Sequence, residues 1–214
     1  MSSFSDTLEK IGKVLGGAVI TAIGATVAIA TFPVASLLPC CGGFITQLGV
    51  SITMYGAFMV GSVFSKEIQC DMDSIGWNPL NSNEDATLGS ESVSFYKGMP
   101  IIRTGAGSRS GSFTMIFLAK GEDADTLNHE WGHGMQHGLL GAVRFGLSVG
   151  IPSPLSLGPW DYYDKPWETM ADIFGGVKRR NADGKPTSNE AKTRAWVYFG
   201  LTIALTTIPL ILFL

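Results

Sequence analysis

Three long stretches of this chain carry no charged side chain, and they limit its fold more than any other feature. Val14 to Leu38, Phe44 to Phe64 and Ala195 to Leu214 contain no Asp, Glu, Lys or Arg. Each is long enough, as a helix, to cross a hydrocarbon core of about 30 Å. Only 15% of the chain is charged, well under the roughly 25% of an average globular protein, and the mean hydropathy is +0.24. The net charge of −3 offers no basic footing for a nucleic-acid partner. The expected partner of these surfaces is a lipid bilayer.

The first two stretches flank Pro39-Cys40-Cys41-Gly42-Gly43, a tight break, and so read as a transmembrane helical hairpin over residues 14–64. Gly16, Gly17, Ala22, Gly24 and Ala28 supply small residues at close spacing. They suit helix–helix contact in a bilayer and, through such faces, a homo-oligomer. Residues 1–13 are polar, with Ser5-Asp6 able to cap a short helix ending at Lys10 and Lys13. Two other readings of the hairpin are a cleaved signal peptide, since Ala28-Ile29-Ala30 resembles a processing site, and a buried core hairpin. The three cysteines make no disulfide framework.

The third stretch, residues 195–214, reads as a C-terminal transmembrane helix. Lys178-Arg179-Arg180, Lys185, Lys192 and Arg194 precede it, with Trp196 and Tyr198 near its polar end. The positive-inside rule places these cations, with Lys10, Lys13 and Lys66, in the cytoplasm. Between the spans come a polar linker over residues 65–90, an α+β domain over 91–180 and a basic linker over 181–194. Within the domain, Val93 to Tyr96 alternates as a strand, Gly98-Met99-Pro100 breaks it, and Ile101-Ile102 resumes it. Gly105 to Gly111 is a turn, and Ser112 to Ala119 reads as one continuous strand.

The chemistry lies in His129-Glu130-Trp131-Gly132-His133, with His137 completing the chain's three histidines. Glu122-Asp123-Ala124-Asp125-Thr126 is fit to start a helix here. On a helix, His129 and His133 share a face and can reach one ion. Glu130 points about 100° away, beside the metal rather than onto it. There it can act as general base. The longer form H-E-x-x-H-x-x-G-x-x-H is excluded, because His137 comes too early. His137 itself reads as a support behind the ligands, a substrate contact or plain surface, with surface the favoured reading, and Gly134 and Gly138 as loosening the end of the helix. Leu139 to Ile151, apolar apart from Arg144, reads as a buried or interfacial helix ended by Pro152-Ser153-Pro154.

Downstream, Trp167-Glu168-Thr169-Met170-Ala171-Asp172 follows Lys165-Pro166, and Pro166 fits a first helical turn. Glu168 could complete a His₂Glu zinc site that leaves one position open. Asp172, one turn on, could orient a ligand histidine. Asp161, Asp164 and Asp172 are the other candidates for third ligand. Tyr162 or Tyr163 could donate to an oxyanion, Tyr163 being the nearer to Glu168 in sequence.

H-E-x-x-H with a downstream E-x-x-x-D resembles the gluzincin branch of zinc metallopeptidases. More narrowly, Val93 to Val177 is similar to the H-E-Y-G-H zincin domains of bacterial polymorphic toxins and small membrane proteins. The likeness rests on Ser94-Phe-Tyr-Lys-Gly, Ser112-Phe-Thr-Met-Ile-Phe-Leu, His129-Glu-Trp-Gly-His with Gln136, Gly150-Ile-Pro-Ser, and Tyr163-Asp-Lys-Pro-Trp-Glu168 ending in Ala171-Asp172. Trp131 stands where the group has Tyr. The resemblance implies that His129, His133 and Glu168 bind Zn²⁺, with Glu130 as catalytic base. The resemblance does not supply the substrate; a peptide or protein is the expectation for a metallopeptidase, and a bacterial inner membrane, with the zinc domain on its cytoplasmic side, is the expected location. The alternatives are a toxin-type effector protease, and a membrane or pore-forming protein that binds metal without catalysis.

Overall fold

The computed structural model describes residues 4–37, 42–66, 68, 93–105, 110–155, 157–178 and 186–212. Among them the chain is α+β, mostly helical with one small sheet. Two helices, α1 over Phe4–Leu37 and α2 over Gly42–Gly61, are the described elements long and apolar enough to cross a membrane, α1 through its Phe4–Pro33 portion. The polar N-terminal residues do not form a separate short helix. From Phe4 they run without a break into α1, where Glu9 and Lys13 pair at 2.9 Å one turn apart.

The chain divides into two compact units. One unit takes Met1–Ala30 with Thr46–Glu122; the other takes Thr31–Ile45 with Asp123–Leu214. In the first, α1 and α2 mesh through small residues. A Cβ on Gly17 would stand 2.7 Å from the Gly56 carbonyl, and one on Gly49 would stand 2.6 Å from the Ala28 amide. Backbones this close bring dispersion contacts that larger side chains would prevent. The hydroxyls of Thr21 and Thr53 donate to carbonyls one turn back in their own helices, so no donor is stranded.

The sheet belongs to this unit. Strand β1 (Val93–Tyr96) pairs antiparallel with β2 (Met99–Thr104), and β2 pairs parallel with β4 (Ile116–Ala119). β4 pairs antiparallel with β3 (Gly111–Ser112), giving the order β1-β2-β4-β3. Two expectations change here. Lys97 and Gly98 both adopt positive φ, making a two-residue hairpin turn, so Met99 and Pro100 begin a strand rather than break one. Pro100 is tolerated because pairing with β4 starts only at Ile101. The run Ser112 to Ala119 is not one strand. It reverses through Phe113-Thr114-Met115, and its two halves face each other. Tyr55, Phe58 and Met59 of α2 form a core with Val93 and Phe95, whose ring meets those of Tyr55 and Phe58 edge-on. Ser51 sits between the carbonyls of Gln47 and Gly98.

The second unit holds α3 (Ala124–Leu140), a short α4 (Ala142–Phe145) running into a π turn at Gly146–Gly150, α5 (Pro166–Gly175) and α6 (Asn189–Leu212). Its core is Leu140, Phe145, Val149, Trp167, Met170, Ala195 and Phe199. The hairpin apex belongs here as well. Gly43 lies directly on the His137 carbonyl, and the Phe44 ring occupies the space beside Gly138. The end of α3 thus seats the apex. Helix α6 starts earlier than the expected span, within the basic linker, and buries Ala191, Ala195 and Phe199. The Cys40-Cys41 break, most of the 65–90 linker, part of the Gly105–Gly111 turn and the cations at 179–185 lie outside the described residues.

Candidate metal centre

Helix α3 begins where its sequence asks it to. The Asp123 carboxylate accepts the Thr126 amide at 2.8 Å, capping the first turn, and Asp125 meets the positive end of the helix dipole. From this start His129, His133 and His137 fall one turn apart on one face. Helix α5 opens with Pro166, whose missing N–H is no loss there, and presents Glu168 and Asp172 one turn apart.

Glycine sets the distance between these helices. The α-carbon of Gly132 rests on the Ala171 carbonyl and that of Gly175 on the Asn128 carbonyl, with no room for a Cβ at either. The Gln136 amide donates to the Trp167 carbonyl at 2.8 Å and ties the opposite end of the contact. Helix α3 is therefore held close against α5 from Asn128 to Gln136. Gly134 and Gly138 do not loosen it; the helix continues to Leu140.

Between the helices, one atom each of His129, His133 and Glu168 lie within 4.8 Å of one another, all in buried residues. Glu168 Oε2 is 3.2 Å from His129 Nε2 and 3.3 Å from His133 Nε2. Two ligands on a tetrahedral zinc, each about 2.0–2.1 Å from the ion, stand about 3.3 Å apart. The other ring nitrogens are already committed. His129 Nδ1 meets Asp172 Oδ1 at 2.6 Å, and His133 Nδ1 meets Gln136 Oε1 at 2.7 Å.

Those partners fix the tautomers. Because the Gln136 nitrogen is spent on the Trp167 carbonyl, its oxygen faces His133, and Nδ1 must be the donor. The Asp172 carboxylate requires the same of His129. Each neutral imidazole then turns a bare Nε2 lone pair toward the Glu168 carboxylate. Three acceptors converging in a buried space need a cation or extra protons between them. The Ser153 hydroxyl donates to Glu168 Oε1 at 2.5 Å, leaving Oε2 as the one carboxylate oxygen turned to the histidines. Burial alone would raise the Glu168 pKa. Where extra protons rather than a cation fill that space, hydrogen bonds from His129 and His133, the charge of His133 and the Ser153 hydroxyl outweigh burial and hold the carboxyl far below the usual range. The donor set fits a divalent metal.

The other candidates are not among the three converging residues. Glu130 is buried on α3, next to His129 in the chain. Tyr163 lies in a 3₁₀ turn, Tyr162–Asp164, just ahead of α5; its ring packs edge-on against Tyr162 and its carbonyl accepts the Thr169 hydroxyl. His137 is not surface. It is 0% exposed, set edge-on to Phe145 at 5.6 Å between ring centroids, and burial lowers its pKa to about 4. Asp161 and Asp164 are not in the cluster, and Asp172 enters it only through His129. Two contributors fell within the quoted motifs but were given no role from the sequence. Gln136 lies three residues beyond His133, on the same helical face, a spacing that could have marked it. Ser153 sits in a proline-flanked loop that no periodicity ties to α5.

No protein-family model, curated protein or solved structure matches this chain.

Proposed function

We propose that the protein is a membrane-bound zinc metallopeptidase of the gluzincin-like kind its motifs resemble, hydrolysing peptide bonds. The observation that carries this reading is the convergence of two Nε2 lone pairs and one carboxylate oxygen, with both Nδ1 positions committed elsewhere. His129, His133 and Glu168 would hold the zinc, a set of three protein ligands that suits a catalytic rather than a closed structural site. When bound, the ion supplies Lewis acidity, polarising the scissile carbonyl and easing the deprotonation of water.

The side chains have separate tasks. Glu130, a carboxylate outside the ligand set, accepts the proton of the attacking water at a carboxylate oxygen and returns it to the leaving amine nitrogen. Water adds across the C–N bond, giving an acid and an amine. Asp172 and Gln136 hold the Nδ1 protons of the histidines and so keep both tautomers fixed. Tyr163 is the candidate donor to the oxyanion. Helix α6 would serve as the C-terminal membrane anchor, on the strength of its uncharged run and its basic approach. A toxin-type effector would use the same chemistry on a competitor's proteins.

One observation favours a second reading. Glu168 is 1% exposed, as in a metal site that serves folding alone. Glu130→Gln separates the two, because it keeps size and helix while removing the base. In the catalytic reading the variant keeps its zinc, measured by elemental analysis, while cleavage of a peptide library falls by roughly 10²–10⁴-fold. Equal cleavage by zinc-loaded wild type and variant would sink the catalytic assignment. Loss of zinc in His133→Ala is the companion expectation for the ligand set.

A further inference from the structure

The segment after α3 is apolar on two faces. One face packs into the core of its unit, through Phe145, Val149 and the buried Ser148. The other carries Val143, Leu147, Ile151, Leu155 and Leu157, each between 48% and 66% exposed. The first four recur every four residues. On a regular helix of 3.6 residues per turn such a row drifts round the axis. Here the turn at Gly146–Gly150 is of the wider π type, closed by the Ile151 amide on the Gly146 carbonyl at 2.8 Å. Across that turn its i→i+5 bond winds the chain less per residue and works against the drift.

From Leu139 to Trp160 the one ionisable side chain is Arg144, and it is turned inward, buried, with its guanidinium donating to the Leu140 carbonyl. The outer face thus carries no charge. A helical segment that is apolar all round belongs in a protein core or in lipid. What lies beside it in the same unit decides between them. The apex of the hairpin, where the two membrane-length helices end, sits on His137 and Gly138, a few residues ahead of Val143. The row begins where those helices stop.

We infer that Val143 to Leu157 is a lip immersed in the bilayer at the metal centre, so that the site receives peptide segments held in or at the membrane. The substrate clause rests on the hydrolase reading above; the lipid seat does not. Ser153 links the two, since it lies within the lip and donates its hydroxyl to Glu168. Lipid, rather than a second copy of the chain, fits the branched aliphatic side chains of the row, because close contacts between membrane helices favour small residues.

The test is spin labelling of the protein in liposomes, with Cys40, Cys41 and Cys70 replaced by Ser and a single nitroxide carried by Leu147→Cys or Leu155→Cys. Position 161, in the polar loop before α5, is the aqueous control. The expected result at 147 and 155 is relaxation by oxygen with loss of relaxation by a water-soluble nickel chelate. Nickel access matching position 161 would overturn the lipid seat, and so would exclusion of both reagents, the mark of a face covered by protein. In the second arm, a peptide library carried on a transmembrane anchor in the same liposomes should be cleaved about tenfold or more faster than the free library, since anchoring raises effective concentration. Equal rates would overturn the substrate class. No cleavage of either, with the oxygen signature intact, would fail the hydrolase reading and leave the lip standing.

Discussion

Helices α1 and α2 meet through glycine, and so do α3 and α5, but closeness serves different ends in the two pairs. In the hairpin, Gly17, Gly24, Gly49 and Gly56 bring backbone against backbone, and the threonine hydroxyls at the contact bond within their own helices. In the second pair, Gly132 and Gly175 bring the backbones as close, and polar side chains then cross from helix to helix. Packing is the product of the first contact. The second uses packing to set three acceptor atoms within reach of one ion. Hydrophobic association tolerates small shifts, whereas a metal site needs its ligands held within a few tenths of an ångström.

Matched glycine substitutions should break this comparison most sharply. A Cβ on Gly132 would land on the Ala171 carbonyl, and one on Gly56 would stand 2.5 Å from the Thr21 amide. Neither backbone can swing aside as a flexible side chain would. Gly132→Val is expected to destabilise by about 3 kcal/mol or more and to abolish zinc binding, because α5 must move away with Glu168 and Asp172. Gly56→Val should destabilise by a similar amount and leave zinc stoichiometry in the folded fraction unchanged. Denaturant titration in detergent and metal analysis of the same samples read both effects. Zinc retained by folded Gly132→Val would show that the closeness of α3 and α5 is not what assembles the site.

Acid should act on the second unit through His137. Its folded pKa, about 4, lies below the usual 6.5, so the unfolded chain binds more protons between those values. Stability is therefore fully present above about pH 6.5 and lost as pH falls towards about 4, at roughly 1.4 kcal/mol per unit, some 3 kcal/mol in all. The informative quantity is a difference between proteins. His137→Leu should flatten the wild-type slope over that window in metal-free protein. Parallel slopes for the two proteins would place the acid sensitivity elsewhere.

What could be read from the sequence was whatever repeats locally. The cap at Asp123, the His129–His133 pair, Pro166 in the first turn of α5 and the Glu168–Asp172 spacing are all consequences of helix period or backbone chemistry, and all appear where expected. The readings that changed depend on what packs against a segment. His137 shares a helical face with His129 and His133, and the Phe145 ring and the hairpin apex at Gly43 show that it is enclosed. Phe113-Thr114-Met115 contains neither Gly nor Pro, so nothing in the run announces the reversal between β3 and β4. Gly138 looks like a helix weakness until the Phe44 ring fills the space beside it. The Pro-Ser-Pro loop gives no hint that its hydroxyl reaches Glu168.

The groups that orient the histidines offer a finer test of the same contact. Asp172→Asn keeps the shape but weakens the acceptor at His129 Nδ1, and Gln136→Leu removes the acceptor at His133 Nδ1. Each is expected to lower zinc affinity by about 10–100-fold while leaving the ligand set whole. Competition with a chromogenic chelator measures this directly. Gln136→Leu also removes the tie to the Trp167 carbonyl, so it should lower stability more than Asp172→Asn does. If the two variants bound zinc as tightly as wild type, the tautomers would not depend on these partners, and the case for converging lone pairs would fall with them.

Ser153 should give the smallest effect, and the reason lies in what its hydrogen bond does in each state. The hydroxyl donates to Glu168 Oε1, an atom that need not touch the ion, so the bond is present whether or not zinc is bound. Removing it in Ser153→Ala takes away a hydrogen bond to a charged group, worth about 1.5–3 kcal/mol of stability. Only the part of that energy that differs between metal-free and metal-bound protein enters the affinity. The expected loss of zinc affinity is therefore a few-fold, below the roughly 10–100-fold of the histidine partners. Ser153→Thr keeps a hydroxyl and should recover most of both quantities. A drop in affinity as large as that of Asp172→Asn would mean that the hydroxyl selects which carboxylate oxygen faces the metal, and the loop would then rank with α3 and α5 in building the site. A variant unchanged in both stability and affinity would mean that the loop merely covers Glu168.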